Sequence, residues 1–172
     1  KAIFYIYRMD FKDYLQPYQS TSETSPQERG RLRNYADFYK DDFDGDLLAY
    51  DIFILGVPEG RLSLNNESCA FAPDEIRYSL YELYRGDWSH SVLDLGNLKL
   101  GNEVEDTYVA LQELSSYLIQ HGKVLLVLGG GHDLIIPIYK GHAALGKPVN
   151  FASADAYLDF QDGEKSHSRS FL

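Results

Sequence analysis

From residue 50 onward the apolar positions fall into short continuous runs alternating with helical stripes; before it they follow no period. Residues 51–57 form an unbroken aliphatic and aromatic run closed by Gly56, Val57 and Pro58, the pattern of a strand buried on both faces and followed by a turn. A helix is expected next. Pro73 suits its first turn, Asp74 and Glu75 favour the positive end of its dipole, Ile76, Leu80, Leu83 and Tyr84 mark one face, and Gly86 ends it. Residues 91–95 predict a second strand. Residues 103–120 predict a second helix with an acidic first turn and Val104, Tyr108, Leu111, Leu114 and Leu118 on one stripe. A third strand at 123–128, a third helix at 132–145 and a fourth strand at 149–154 complete the series. Strands alternating with helices imply right-handed crossovers, hence an α/β fold with a mostly parallel sheet and helices on its faces.

The first 46 residues are rich in Tyr, Asp, Ser and Gln, and residues 19–31 carry turn formers and charges. They read as an irregular extension, placed at 1–48 ahead of an α/β domain at 49–172, with a short strand at 2–7 and a helical turn around 35–39.

Composition narrows the partners. The chain has 172 residues and 44% hydrophobic content, within the range of one ordinary domain. Its 26 acidic and 16 basic side chains leave a net charge of -10, which repels phosphate backbones and anionic bilayers, so neither nucleic acid nor a membrane is expected as a partner. The single cysteine, Cys69, cannot form an internal disulfide. Residues 124–128, the longest aliphatic run, fall far short of the roughly 20 that span a bilayer, and residues 1–10 lack a signal-like core. The cytoplasm is the expected location. The chain opens on Lys1 and closes on Phe171 and Leu172 without a polar tail, so both ends read as cut.

In parallel sheets ligands gather at the carboxyl ends of strands, which directs attention to residues 129–133 and 155–159. The first segment places Gly129, Gly130, Gly131 and His132 at a strand-to-helix turn. Glycines there allow close approach to a ligand, as in an anion cradle, but Leu134 occupies the third glycine position of a dinucleotide fingerprint. A tight turn with His132 as a polar cap explains the loop equally well. The second segment carries Asp155 and Asp159. Two carboxylates and an imidazole form a nitrogen-and-oxygen set suited to manganese, iron or zinc. Taken alone, the aspartates fit helix capping or solvation at least as well. His90, His121 and His142 lie near element ends and read as exposed or capping, and the tyrosines as packing residues with a polar tip.

Together the two segments resemble the ureohydrolase family of arginases, agmatinases and formimidoylglutamases, whose hallmarks are a Gly-Gly-x-His loop and, one strand later, Asp-Ala-His-x-Asp. The resemblance runs upstream through Gly56-Val57-Pro58, Ala72-Pro73-Asp74-Glu75-Ile76-Arg77 and Asp94-Leu95-Gly96-Asn97, covers about residues 50–172, and is strongest to the formimidoylglutamase-like branch. It implies a three-layer α-β-α arginase-like fold, truncated here after the fourth core strand. It implies that His132 serves the first metal, Asp155 bridges both metals and Asp159 is a further ligand of the first. His167, within His167-Ser168-Arg169-Ser170, resembles a substrate loop that carries a proton-shuttling histidine in some members. The family hydrolyses linear amidine or guanidino C–N bonds with two ions roughly 3.5 to 4 Å apart, which acidify water and stabilise the tetrahedral intermediate.

Two departures bear on activity. Tyr157 stands where the family has its second-metal histidine, and a phenol with an ordinary pKa of about 10 is not a ready ligand at neutral pH. The family's later Ser-x-Asp-x-Asp-x-x-Asp-Pro pattern does not occur in these residues, and Asn65-Asn66-Glu67-Ser68 replaces a glycine-bearing stretch. Mn2+ is the implied cofactor, with one ion or none in this chain, and a small amidine or guanidino compound is the implied substrate. Two classes of function remain open: an inactive or impaired ureohydrolase, and a non-catalytic binding or interaction module that keeps the fold. Tyr157 favours the second. An unpaired sheet edge would promote self-association, so a homo-oligomer is expected.

Overall fold

The computed structural model describes residues 11–19, 30–63, 65–146 and 148–155. Five strands form one sheet: β1 (Leu15–Gln16), β2 (Ala36–Phe38), β3 (Ile52–Gly56), β4 (Val92–Leu98) and β5 (Val124–Leu128). Strand β3 lies between β4 and β5, parallel to both, with Ile52 opposite Val92 on one side and Val124 on the other. The outer edge of β4 is shared by β2, parallel along Val92–Asp94, and β1, antiparallel at Asn97 and Leu98. Three helices complete the order: α1 (Ala72–Leu80), α2 (Val104–Gln120) and α3 (Ile135–Ala143).

The alternation of side chains along the strands makes two cores, one on each sheet face. Phe53, Leu55, Leu93 and Leu95 pack with Leu111, Leu114 and Leu118 of α2 and with Leu134. Ile54, Val92 and Leu128 point the other way and pack with Leu32, Ala36 and Tyr81 beside α1. Helices α2 and α3 pack against each other on the first face and α1 lies on the second, the three-layer arrangement that the motifs imply. Helix α2 starts with a capping box in which Glu103 and Asp106 satisfy each other's backbone N–H groups.

Three expectations need correction. The first concerns α1: Ile76, Leu83 and Tyr84 are exposed, and Pro73, Arg77 and Tyr81, four residues apart, face inward. Asp94, fully enclosed within β4, requires a cation and a hydroxyl above it, and this requirement turns the helix over. The second is the turn at 35–39, where Ala36–Phe38 is a strand because β4 offers it a hydrogen-bonding edge. The third is the fourth strand. Residues 149–154 are exposed and in no strand, since among the described residues they have neither a neighbouring strand to bond nor a layer to bury them. The described core therefore has three long parallel strands instead of four. The strand expected at 2–7 lies outside the described residues.

Strand β5 shows the same deficit of cover. Leu125 and Val127 pack toward α2, but on the opposite face Val124 is 58% and Leu126 42% exposed. Among the described residues β5 pairs only with β3.

Candidate metal centre

Where β5 ends, the chain passes through three glycines into a 3-10 turn, His132–Leu134, that leads into α3. Two of the three glycines are demanded by their surroundings, Gly130 by backbone and Gly131 by neighbouring side chains. A Cβ on Gly130 would stand 2.1 Å from the Glu59 carbonyl oxygen, and one on Gly131 would stand 2.1 Å from Asp133 Oδ1 and 2.6 Å from Ser63 Oγ. The close approach expected for a ligand is thus made by Gly130 to the loop after β3, and by Gly131 to that loop and to Asp133. The Gly131 N–H donates to the Glu59 carbonyl at 2.6 Å, and one residue before the loop the Val57 N–H donates to the Leu128 carbonyl at 2.9 Å.

This packing delivers His132 to the rim at the carboxyl end of the sheet, with its side chain 41% exposed. Asp155, 28% exposed, meets it there: His132 Nε2 and Asp155 Oδ2 are 3.5 Å apart. Two of the expected ligands therefore converge from segments more than 20 residues apart. Asp159, Tyr157 and His167 lie outside the described residues, and among the described residues no group of three His, Cys, Asp or Glu side chains gathers. An imidazole nitrogen and a carboxylate oxygen face each other within reach of solvent, a donor pair that fits a first-row divalent ion.

Behind the rim lies a buried polar scaffold that the sequence patterns did not reveal. Glu59, whose side chain is fully enclosed, binds Arg61 through Nε at 2.9 Å and Nη2 at 2.5 Å. Arg61 in turn donates to the carbonyls of Gly101 and Asn102 at 3.2 and 2.8 Å, tying the β3 loop to the start of α2. Burial pushes the Glu59 carboxyl up, but the hydrogen bonds and charge of Arg61 outweigh it and hold it below the usual glutamate range. One helical turn further on, Tyr108 donates its hydroxyl to Asp133 Oδ2. Burial first, then that contact with Asp133, pushes the Tyr108 phenol up, so it remains a donor at any ordinary pH. Asp133 is 3% exposed, and its other oxygen, Oδ1, is buried without a hydrogen-bond partner.

The motif pieces at 72–77 and 94–97 also meet, but as structure. Arg77 Nε and Nη2 bind the two oxygens of Asp94 at 2.9 and 3.1 Å, Nη2 also reaches the Gly96 carbonyl at 2.6 Å, and Nη1 reaches Asp74 at 3.1 Å and Asn97 at 2.5 Å. Tyr81 donates to Asp94 as well; burial and the Asp94 charge push its phenol up. One signal was legible: a lone carboxylate inside the apolar run Val92-Leu93-Asp94-Leu95 needs a buried cation.

Comparison with known proteins points the same way. The model of the arginase family matches residues 50–171. A formimidoylglutamase of Hahella chejuensis (strain KCTC 2396) is 31% identical over 120 residues, covering 65% of this chain and 35% of the relative. The formimidoylglutamase structure from Bacillus subtilis subsp. subtilis str. 168 superposes with a TM-score of 0.69 at 18% identity, over 95% of this chain and 52% of that one. A Trypanosoma cruzi formiminoglutamase variant with Mn2+ gives a TM-score of 0.52 at 18% identity, over 59% and 37% of the two chains. The chain thus spans about a third of that curated relative's length and about half of the Bacillus structure.

Proposed function

The chain belongs to the arginase family, and from that premise we propose that His132 and Asp155, joined by Asp159, hold one Mn2+ ion in a formimidoylglutamase-like site for a linear amidine or guanidino compound. The observation that carries this reading is the 3.5 Å approach of His132 Nε2 to Asp155 Oδ2 at the carboxyl end of β5. In this role the imidazole supplies a nitrogen lone pair and the carboxylate a negative charge, and the glycine-rich loop keeps the imidazole at the rim. When bound, the metal polarises the substrate and acidifies water. His167 is proposed to move a proton or touch substrate.

Hydrolysis by this chain is proposed to be impaired, because Tyr157 replaces the imidazole that would complete a second ion's shell. The same substitution supports the second reading, a non-catalytic module that retains the fold and binds small molecules or partners. The α/β domain is proposed to span 49–172 after an extension at 1–48, in a cytoplasmic homo-oligomer that associates through the flank of β5 left unpaired among the described residues and avoids nucleic acid and membranes.

Calorimetric titration with MnCl2, alongside assays for ammonia, formamide or urea released from amidine and guanidino substrates, tests the reading. One equivalent of Mn2+ should bind, raising stability by about 2.7 kcal/mol at a hundredfold excess over Kd, and His132→Ala should abolish both effects. No binding to the unaltered chain would remove the metal reading, and brisk hydrolysis would remove the impairment.

A further inference from the structure

We propose that Tyr108 is a positioning residue for the metal centre: by holding the Asp133 carboxylate, its hydroxyl fixes the turn that presents His132. The inference rests on the metal reading above.

His132 is flanked by two pinned neighbours while its own ring stays 41% exposed. On one side the Gly131 N–H is bound to the Glu59 carbonyl. On the other, Asp133 shares the 3-10 turn of His132 and is bound by Tyr108. The two anchors differ in what backs them. Tyr108 projects from the second turn of α2, a helix whose Leu111, Leu114 and Leu118 lie in the main core and whose preceding residues, 101 and 102, are clamped by Arg61. A hydroxyl on so well-packed an element is a fixed point, and a ligand side chain gains most when the group behind it cannot move.

The state of Asp133 strengthens the case. A carboxylate 3% exposed with one oxygen unpartnered is a costly group to keep inside a protein. Tyr108 is the one hydrogen-bond donor to its carboxylate among the described residues. A turn held only by packing could use an apolar residue there. Removing the phenol oxygen would leave the buried charge without a donor, and Asp133 would turn outward, carrying its neighbour His132 with it.

The test compares Tyr108→Phe with Ala110→Gly in the full-length chain. Ala110→Gly weakens the same helix without touching Asp133. Mn2+ affinity is read by electron paramagnetic resonance of the free ion, and amide hydrogen exchange of residues 130–134 is followed in Mn2+-free protein. Tyr108→Phe should weaken Mn2+ binding by about tenfold or more and accelerate exchange at 130–134 while β3 and β4 stay protected. Ala110→Gly should leave the affinity within about twofold of the unaltered chain. Equal losses in both variants, or unaltered Mn2+ binding in Tyr108→Phe, would overturn the proposal. Should the unaltered chain bind no Mn2+ while Tyr108→Phe still loosens the turn, the metal reading falls and Tyr108 is reduced to a structural anchor.

Discussion

Asp94, within β4, and Asp155, in the irregular segment after α3, each meet a nitrogenous side chain. Asp94 and Arg77 are both fully enclosed, and the Asp94 carboxylate accepts from Arg77 Nε and Nη2, the Tyr81 hydroxyl and, at 2.8 Å, the Gly96 N–H. Asp155 and His132 are 28% and 41% exposed and meet at 3.5 Å, longer than a hydrogen bond. Asp94 therefore has no capacity left for a ligand and acts as scaffold. The rim pair stays within reach of solvent and of ions. Burial, more than residue type, separates the structural acid from the acid proposed to bind metal.

The most severe way to break this contrast is Arg77→Met, which leaves Asp94 charged and without its cation in the interior. It should cost about 3 to 5 kcal/mol in urea denaturation; a loss below about 1 kcal/mol would make the buried pair no more structural than the rim pair. Arg61→Met has a smaller effect, felt mainly in acid. The Glu59 carboxyl is held below its ordinary value in the folded chain, so its contribution is complete above the unfolded pKa and is lost as pH falls through the folded one. Without Arg61 burial outweighs the remaining Thr107 hydrogen bond, the folded pKa rises, and acid unfolding followed by circular dichroism should begin at higher pH than in the unaltered chain; an unchanged or lower onset would contradict the assignment. The smallest effect is expected from Asp155→Ala without metal, within about 0.5 kcal/mol of the unaltered chain in thermal melts. A larger loss would move Asp155 into the scaffold.

What could be read in the sequence follows from how far each signal reaches. Strands β3 and β5 and helix α2 were legible because their apolar periods persist for five residues or more. Strands β1 and β2, two and three residues long, carry no period, and only the edge of β4 creates them. The stripe of Ile76, Leu80, Leu83 and Tyr84 does not mark the inward face of α1, because that face is set by Asp94, whose demand for a cation comes from another element. At the rim, the motif spacing points to His132 and Asp155, which come within 3.5 Å of each other, whereas Tyr108 reads only as one member of a stripe. Its hydroxyl partner, Asp133, lies 25 residues away and depends on how α2 meets the turn.

Arg77 also bears on how the chain assembles. Its guanidinium directs bonds from all three nitrogens to α1, β4 and the turn within β4, so neither element can seat itself while the other is missing without stranding a charge. Helix and strand must then arrive and depart together, as a single cooperative unit joining residues 74–81 to 92–97. Partial opening of the helix alone is an excursion the chain cannot cheaply make.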